Sequence, residues 1–154
     1  MNIKDTKSVL KYCIEAKITP NIIGEHGKGK SEVVAQFAQE NGYSHVVNIR
    51  LGQIQDAGDL IGLPEFVTID EVKRTKFIVP SMFPMGEEDK VLIFLDEYNR
   101  TQPQILQAVF QLIEKEGKLG EYSLPKDCAV VLASNPPTDE YTVTDMQDKA
   151  LMDR

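Results

Sequence analysis

The feature that most constrains this chain is a run of eight residues near its start, Gly24-Glu25-His26-Gly27-Lys28-Gly29-Lys30-Ser31. It satisfies G-x-x-x-x-G-K-[ST] in full, the pattern of a phosphate-cradling loop. Each residue type answers a physical demand. Successive backbone N–H groups must curl around phosphate oxygens, and Gly24, Gly27 and Gly29 permit the backbone angles and the close approach this needs. A helix starting near Lys30 then offers free N–H groups and the positive end of its dipole. The Lys30 ammonium is expected to reach the β- and γ-phosphates, and the Ser31 hydroxyl to bind Mg²⁺. Glu25, His26 and Lys28 occupy the variable positions, where side chains surround the phosphates in solvent.

Such a loop must be preceded by a strand and followed by a helix, and the flanks agree. Asn21-Ile22-Ile23 reads as a short buried strand. Residues 30–40 read as a helix with Val33, Val34, Phe37 and Ala38 inward, stopped at Asn41-Gly42. Upstream, residues 5–17 form a helix with Val9, Leu10, Cys13 and Ile14 on one face, closed by Pro20. Residues 45–49 are a second strand, and the Gly-punctuated stretch 52–62 holds a helical turn near 57–60. Residues 66–69 and 76–79 flank a polar segment, 70–75, as a β-hairpin inserted at 66–79.

Val91-Leu92-Ile93-Phe94-Leu95 is the continuous apolar run of a strand buried on both faces. After it, Thr101-Gln102-Pro103-Gln104 fits a capping box with proline in the first turn. The helix that follows is expected to lay Ile105, Leu106, Val109, Phe110, Leu112 and Ile113 on the sheet and to end at Gly117. Residues 117–125 read as a tight β-turn region. Residues 128–133 are another buried strand, closed by Asn135-Pro136-Pro137. Strands alternating with helices imply an α/β fold of three layers around a mostly parallel sheet.

The apolar strand 91–95 ends on Asp96-Glu97. In open α/β sheets ligands bind at the carboxyl ends of the strands, so both acids arrive at the phosphate loop. Asp96 is expected to hold Mg²⁺ through water, and Glu97 to orient or deprotonate an attacking water. The bland alternative is an acidic helix start. Asn-Lys-x-Asp, which reads guanine in GTPases, is absent.

With these residues in hand, the chain resembles the AAA+ superfamily, and within it the MoxR-like ATPases, including the cobalt-chelatase CobS type. The resemblance is carried by residues 24–31, by Asp59-Leu60-Ile61-Gly62-Leu63-Pro64 and by Leu95-Asp96-Glu97-Tyr98-Asn99-Arg100. Ala133-Ser134-Asn135-Pro136-Pro137 and Ala150-Leu151-Met152-Asp153-Arg154 complete it. It implies that Asn135 is the sensor-1 residue, an amide able to bind both a phosphate oxygen and the attacking water. It implies that Arg154 points as a finger into a neighbouring subunit's ATP site, with Arg100 a second candidate for an intersubunit or supporting role. Asn48 is a candidate to hold Glu97 off the water until a partner binds.

The same resemblance implies the strand order 5-1-4-3-2, a ring homo-oligomer, a hexamer, and protein clients that include von Willebrand A domain proteins. The hairpin at 66–79 then becomes either an insert facing the ring's pore or a surface ornament. Residues 117–124 are a possible second such element. Family cores continue past the arginine into a fifth strand and a helical lid. The sequence stops at Arg154, so a fragment lacking that lid is expected, with the phosphate-loop strand at an uncovered sheet edge.

Composition limits the alternatives. Seventeen Lys and Arg against 24 Asp and Glu leave a formal charge of -7, which gives no global attraction for nucleic acid. Only Lys73, Arg74 and Lys76 form a short basic cluster. No apolar run approaches the ~20 residues of a membrane helix, and the first residues lack a secretory signal. Cys13 and Cys128 are expected reduced and packed, which suits the cytoplasm. The expected function is ATP binding and hydrolysis driving the remodelling or maturation of partner proteins. A nucleic-acid motor and a nucleotide-sensing scaffold without turnover are the alternatives.

Overall fold

The computed structural model describes residues 2–86, 90–114 and 117–136. Four strands, β1 (Asn21–Ile23), β2 (His45–Arg50), β5 (Val91–Asp96) and β8 (Ala129–Ser134), form one sheet in the order β1-β8-β5-β2. All three pairings are parallel, with Asn21 opposite Leu132, Leu95 opposite Leu132 and Asn48 opposite Phe94. This is the 1-4-3-2 portion of the expected order, and it leaves β1 at an edge among the described residues.

The two central strands are buried along their length because their side chains alternate between two apolar layers. Leu92, Phe94, Val131 and Ala133 meet Leu10 of helix α1 (Ile3–Glu15) and Val34, Phe37 and Ala38 of α2 (Lys30–Glu40). Ile93, Leu95, Val130 and Leu132 face the other way, onto Ile105, Ala108, Val109 and Leu112 of α4 (Pro103–Ile113). The result is a helix–sheet–helix sandwich, and the carboxyl ends of β1, β5 and β8 point to one rim.

Several local expectations change. Helix α1 starts earlier than residue 5, because the Asn2 side chain caps it by accepting from the Asp5 N–H at 2.9 Å. It ends at Glu15, and Val9 faces solvent. Strand β1 is not buried: Asn21 and Ile23 are exposed, since no strand covers that edge among the described residues. Thr101 is no cap. Its hydroxyl donates to the Leu51 carbonyl at 3.0 Å, and Gln102 takes the cap position without a side-chain bond. Helix α4 stops at Ile113, and Gly117, at φ 56°, instead leads into a short ribbon of β6 (Lys118–Leu119) and β7 (Tyr122–Ser123).

Before β5, a 3₁₀ turn (Leu51–Gln53) and the short helix α3 (Gly58–Ile61) lead into an antiparallel hairpin of β3 (Leu63–Ile69) and β4 (Val72–Ile78). It is longer than expected, and residues 73–75 are strand rather than loop. A two-residue turn, Asp70-Glu71, closes it, with φ 51° and 63° as a type I′ geometry requires. Nearly every hairpin residue is exposed. Both cysteines are free and half-buried. None of the described helices is long and apolar enough to cross a membrane.

Candidate functional site

The edge strand β1 delivers the chain into the glycine-rich loop at the rim. The Gly24 N–H donates to the Ser134 carbonyl at 3.1 Å, which extends the β1–β8 ladder one step into the loop. Gly27 and Gly29 stand at φ 75° and 76°, in the left-handed region that glycine adopts without strain. A Cβ built on either would meet nothing within 4 Å, so space lies open above both. Gly29 is the N-cap of α2 and no side chain caps that end. An uncapped helix start beside two left-handed glycines is a backbone nest suited to an anion.

Lys30 opens α2 and folds back across the loop. Its ammonium donates to the Gly24 carbonyl at 2.7 Å, to the Glu25 carbonyl at 3.1 Å and to Asn135 Oδ1 at 2.9 Å. All three donors of the ammonium are thus directed at neutral acceptors, each of which an anionic phosphate oxygen would outcompete. Asn135 follows the end of β8 and is only 4% exposed. Its Nδ2 has no hydrogen-bond partner among the described residues.

Asp96 closes β5, and its Oδ1 accepts from the Glu97 N–H at 2.9 Å. Glu97 takes φ 55°, a left-handed backbone that is uncommon for a residue with a Cβ. Its carboxylate turns toward Arg100 and His26. Arg100 Nη1 lies 3.3 Å from Glu97 Oε1, and His26 Nδ1 lies 3.7 Å from the same oxygen, a charged pair only when the imidazole is protonated. A Cβ on Gly52 would come within 3.4 Å of Glu97 Oε2, so that glycine gives the carboxylate its room.

The sequence-predicted residues are therefore partly assembled. Lys30 and Asn135 touch, and Glu97, Arg100 and His26 form a second group. Glu25, Lys28 and Ser31 are exposed on the loop and the first turn of α2, where Lys28 pairs with Glu25 at 3.5 Å. Asn48 is exposed on β2; the Glu97 carboxylate is met by Arg100 and His26 rather than by an amide. Arg154 and the segment 150–154 lie outside the described residues, as does Pro137.

Sequence reasoning missed the work of the turn after Glu97, a 3₁₀ turn (Tyr98–Arg100). Asn99 Nδ2 donates to the Asn135 carbonyl at 3.0 Å, and Tyr98 Oη accepts from Asn21 Nδ2 at 3.1 Å. Asn21 in turn accepts from Ser134 Oγ at 3.4 Å. Tyr98 and Asn99 stand inside the stretch that carries the family resemblance, but nothing in their type or spacing announces these partners.

The donor set fits Mg²⁺ with a nucleotide. No cluster of three or more His, Cys, Asp or Glu able to hold a metal occurs among the described residues. Magnesium in phosphoryl sites takes one or two protein oxygens and completes its shell with phosphates and water. Ser31 and Asp96 would hold the ion.

No family model matches the chain. It is similar to "Putative chaperone BssE" of Thauera aromatica, at 28% identity over 139 residues, 86% of this chain and 46% of that protein. It is similar to "Aerobic cobaltochelatase subunit CobS" of Sinorhizobium sp, at 26% identity over 98 residues, 64% of this chain and 29% of that protein. The chain thus spans less than half the length of either relative. Among solved structures, a crystal structure described as a "putative ATPase" from Cytophaga hutchinsonii shares its fold. The TM-score is 0.55 at 17% identity, over 99% of this chain and 47% of that one. The resemblance to CobS-like ATPases is thus matched in sequence by a cobaltochelatase subunit, and the α/β fold is shared with a solved "putative ATPase".

Proposed function

We propose that this chain binds ATP with Mg²⁺ and hydrolyses it, as the nucleotide-binding core of a ring-forming AAA+ ATPase that remodels partner proteins. One observation carries the reading. Lys30 bridges the phosphate loop and Asn135, so two motifs 105 positions apart in sequence meet at a single ammonium. Hydrolysis at a γ-phosphate calls for a cation, an amide and a carboxylate, and Lys30, Asn135 and Glu97 are the residues proposed to supply them.

In this reading the open N–H groups of the loop and of α2 grip the phosphates. Lys30 leaves its carbonyl acceptors for phosphate oxygens, which frees the Asn135 amide. Glu97 accepts a proton from the attacking water once its carboxylate leaves Arg100. Bound Mg²⁺ would supply charge neutralisation at the phosphates. Arg154 of a neighbouring subunit would add the remaining positive charge, which makes turnover a property of the assembly.

The similarity to a protein named as a chaperone and to a cobaltochelatase subunit supports a protein client. A von Willebrand A domain protein is the proposed class, and the cytoplasm the proposed compartment. The exposed β3–β4 hairpin, rich in apolar side chains, is the element proposed to face the ring's pore.

The test is ATPase activity measured against protein concentration, with Glu97→Gln or Arg154→Ala chains mixed into wild type. Turnover is expected to rise steeply with assembly and to fall faster than the fraction of wild-type chains. Activity independent of concentration and insensitive to Arg154→Ala would sink the ring mechanism, and an absence of nucleotide binding would sink the whole reading.

A further inference from the structure

Two amides meet at the rim, and each is half-satisfied. Asn99 donates from Nδ2 to the backbone carbonyl of Asn135 at 3.0 Å, while its own Oδ1 is buried without a partner among the described residues. Asn135 accepts at Oδ1 from Lys30 at 2.9 Å, while its Nδ2 is buried without a partner. A buried polar atom left unpaired is a cost to folding, so stability alone does not account for an amide at either position.

The geometry around the pair is directional. Asn99 grips the main chain of Asn135 rather than its side chain, so it fixes where the backbone leaves β8 and leaves the Asn135 amide free to act. The same turn is tied on both sides. Tyr98 Oη holds Asn21 at the far edge of the sheet, and the Arg100 N–H donates to the Glu97 carbonyl at 2.9 Å. Asn99 therefore transmits the position of the acidic strand end to the residue beyond the neighbouring strand.

We propose that Asn99 is a positioning residue for hydrolysis, holding Asn135 in register with Glu97 through the Asn135 backbone carbonyl. The proposal rests on the reading of this site as hydrolytic. Asn99 needs only its donor for this purpose. Aspartate, an isostere with no donor, sets oxygen against oxygen, and leucine leaves the carbonyl unpaired.

The experiment compares wild type, Asn99→Leu, Asn99→Asp, Asn135→Ala and the double variant Asn99→Leu/Asn135→Ala. Lys30→Ala serves as the inactive control. Turnover is measured at saturating ATP, affinity by titration with a fluorescent ATP analogue, and folding by the thermal midpoint. Asn99→Leu and Asn99→Asp are each expected to lose about tenfold or more in kcat while analogue affinity stays within about threefold. The double variant is expected within about twofold of Asn135→Ala alone, because the two residues act as one unit. Wild-type kcat in both Asn99 variants overturns the proposal, as does a double variant whose losses multiply. A parallel fall in affinity and thermal midpoint also overturns it, by making Asn99 merely structural. Wild-type turnover no higher than that of Lys30→Ala is a separate failure, that of the hydrolytic reading, and takes this inference with it.

Discussion

The central sheet and the β3–β4 hairpin both carry large apolar side chains, yet these stand in opposite relations to water. Every residue of β8 is buried, and β5 is buried from Val91 to Leu95. In the hairpin, Leu63, Phe66, Ile69, Val72, Phe77 and Ile78 are all exposed, Phe66 at 84%. The sheet uses its apolar side chains to join two helical layers, and that rigid assembly aims the loop, Asp96 and Asn135 at one rim. The hairpin's side chains pack on nothing equivalent, although an isolated two-stranded ribbon is marginal in water. Its apolar surface is available for a partner, whereas that of the sheet is consumed by the fold.

The sharpest way to break this contrast is to truncate one aromatic ring in the sheet. Phe94 is fully buried between β5 and the α1–α2 layer. Phe94→Ala is expected to cost about 3–5 kcal/mol, read from the denaturant midpoint. A loss under about 1 kcal/mol would mean that the sheet is no better packed than the hairpin. Next in size is Lys30→Ala, which removes charge-assisted bonds worth about 1.5–3 kcal/mol to phosphate. ATP affinity is expected to fall about 10–100-fold with the unfolding midpoint nearly unchanged. Affinity that survives the change would mean that the rim does not bind through this ammonium.

The parts legible in the sequence were those in which local pattern and tertiary demand agree. Val91 to Leu95 reads as a doubly covered strand and is one, and the glycines of 24–31 suit a turn of unusual backbone angles, which the structure bears out at Gly27 and Gly29. Misreadings arose where a long-range partner outbid a local one. Thr101 looks like a cap, but the Leu51 carbonyl takes its hydroxyl across the fold. Asp70-Glu71 carries no glycine, so its left-handed turn was invisible and the loop was drawn too wide. Asn-Ile-Ile by itself reads alike whether a strand is central or at an edge; the family strand order put it at an uncovered edge, and the described sheet agrees. At the site, motif residues were readable one by one. The bond from Asn99 to the Asn135 carbonyl joins positions 36 residues apart and leaves no periodic trace.

The junction between the two regions offers a smaller perturbation. Gly62 links α3 to β3 at φ 98°, and a Cβ there would sit 2.0 Å from the Ile78 carbonyl oxygen, a backbone atom that cannot rotate away. Gly62→Ala is therefore expected to displace the hairpin at its base, at about 1–3 kcal/mol of local strain. Hydrogen exchange would show protection lost in β3 and β4 but retained in β5 and β8. If protection fell everywhere, the hairpin would be part of the cooperative core and the contrast would fail.

The smallest effect is expected at the most exposed ring. Phe66 sits opposite Thr75 in the hairpin and meets little else, so Phe66→Ser forfeits at most a cross-strand pair. Global stability is expected to change by less than about 0.5 kcal/mol, within the range of ordinary surface substitutions. A loss above about 1 kcal/mol would show that the ring is packed in solution and that the hairpin lies down on the body. With stability unchanged, the same variant isolates what the exposed surface does. If the hairpin engages a client, client-stimulated turnover falls while basal turnover stays put, because the ring touches neither the phosphate loop nor the acidic end of β5.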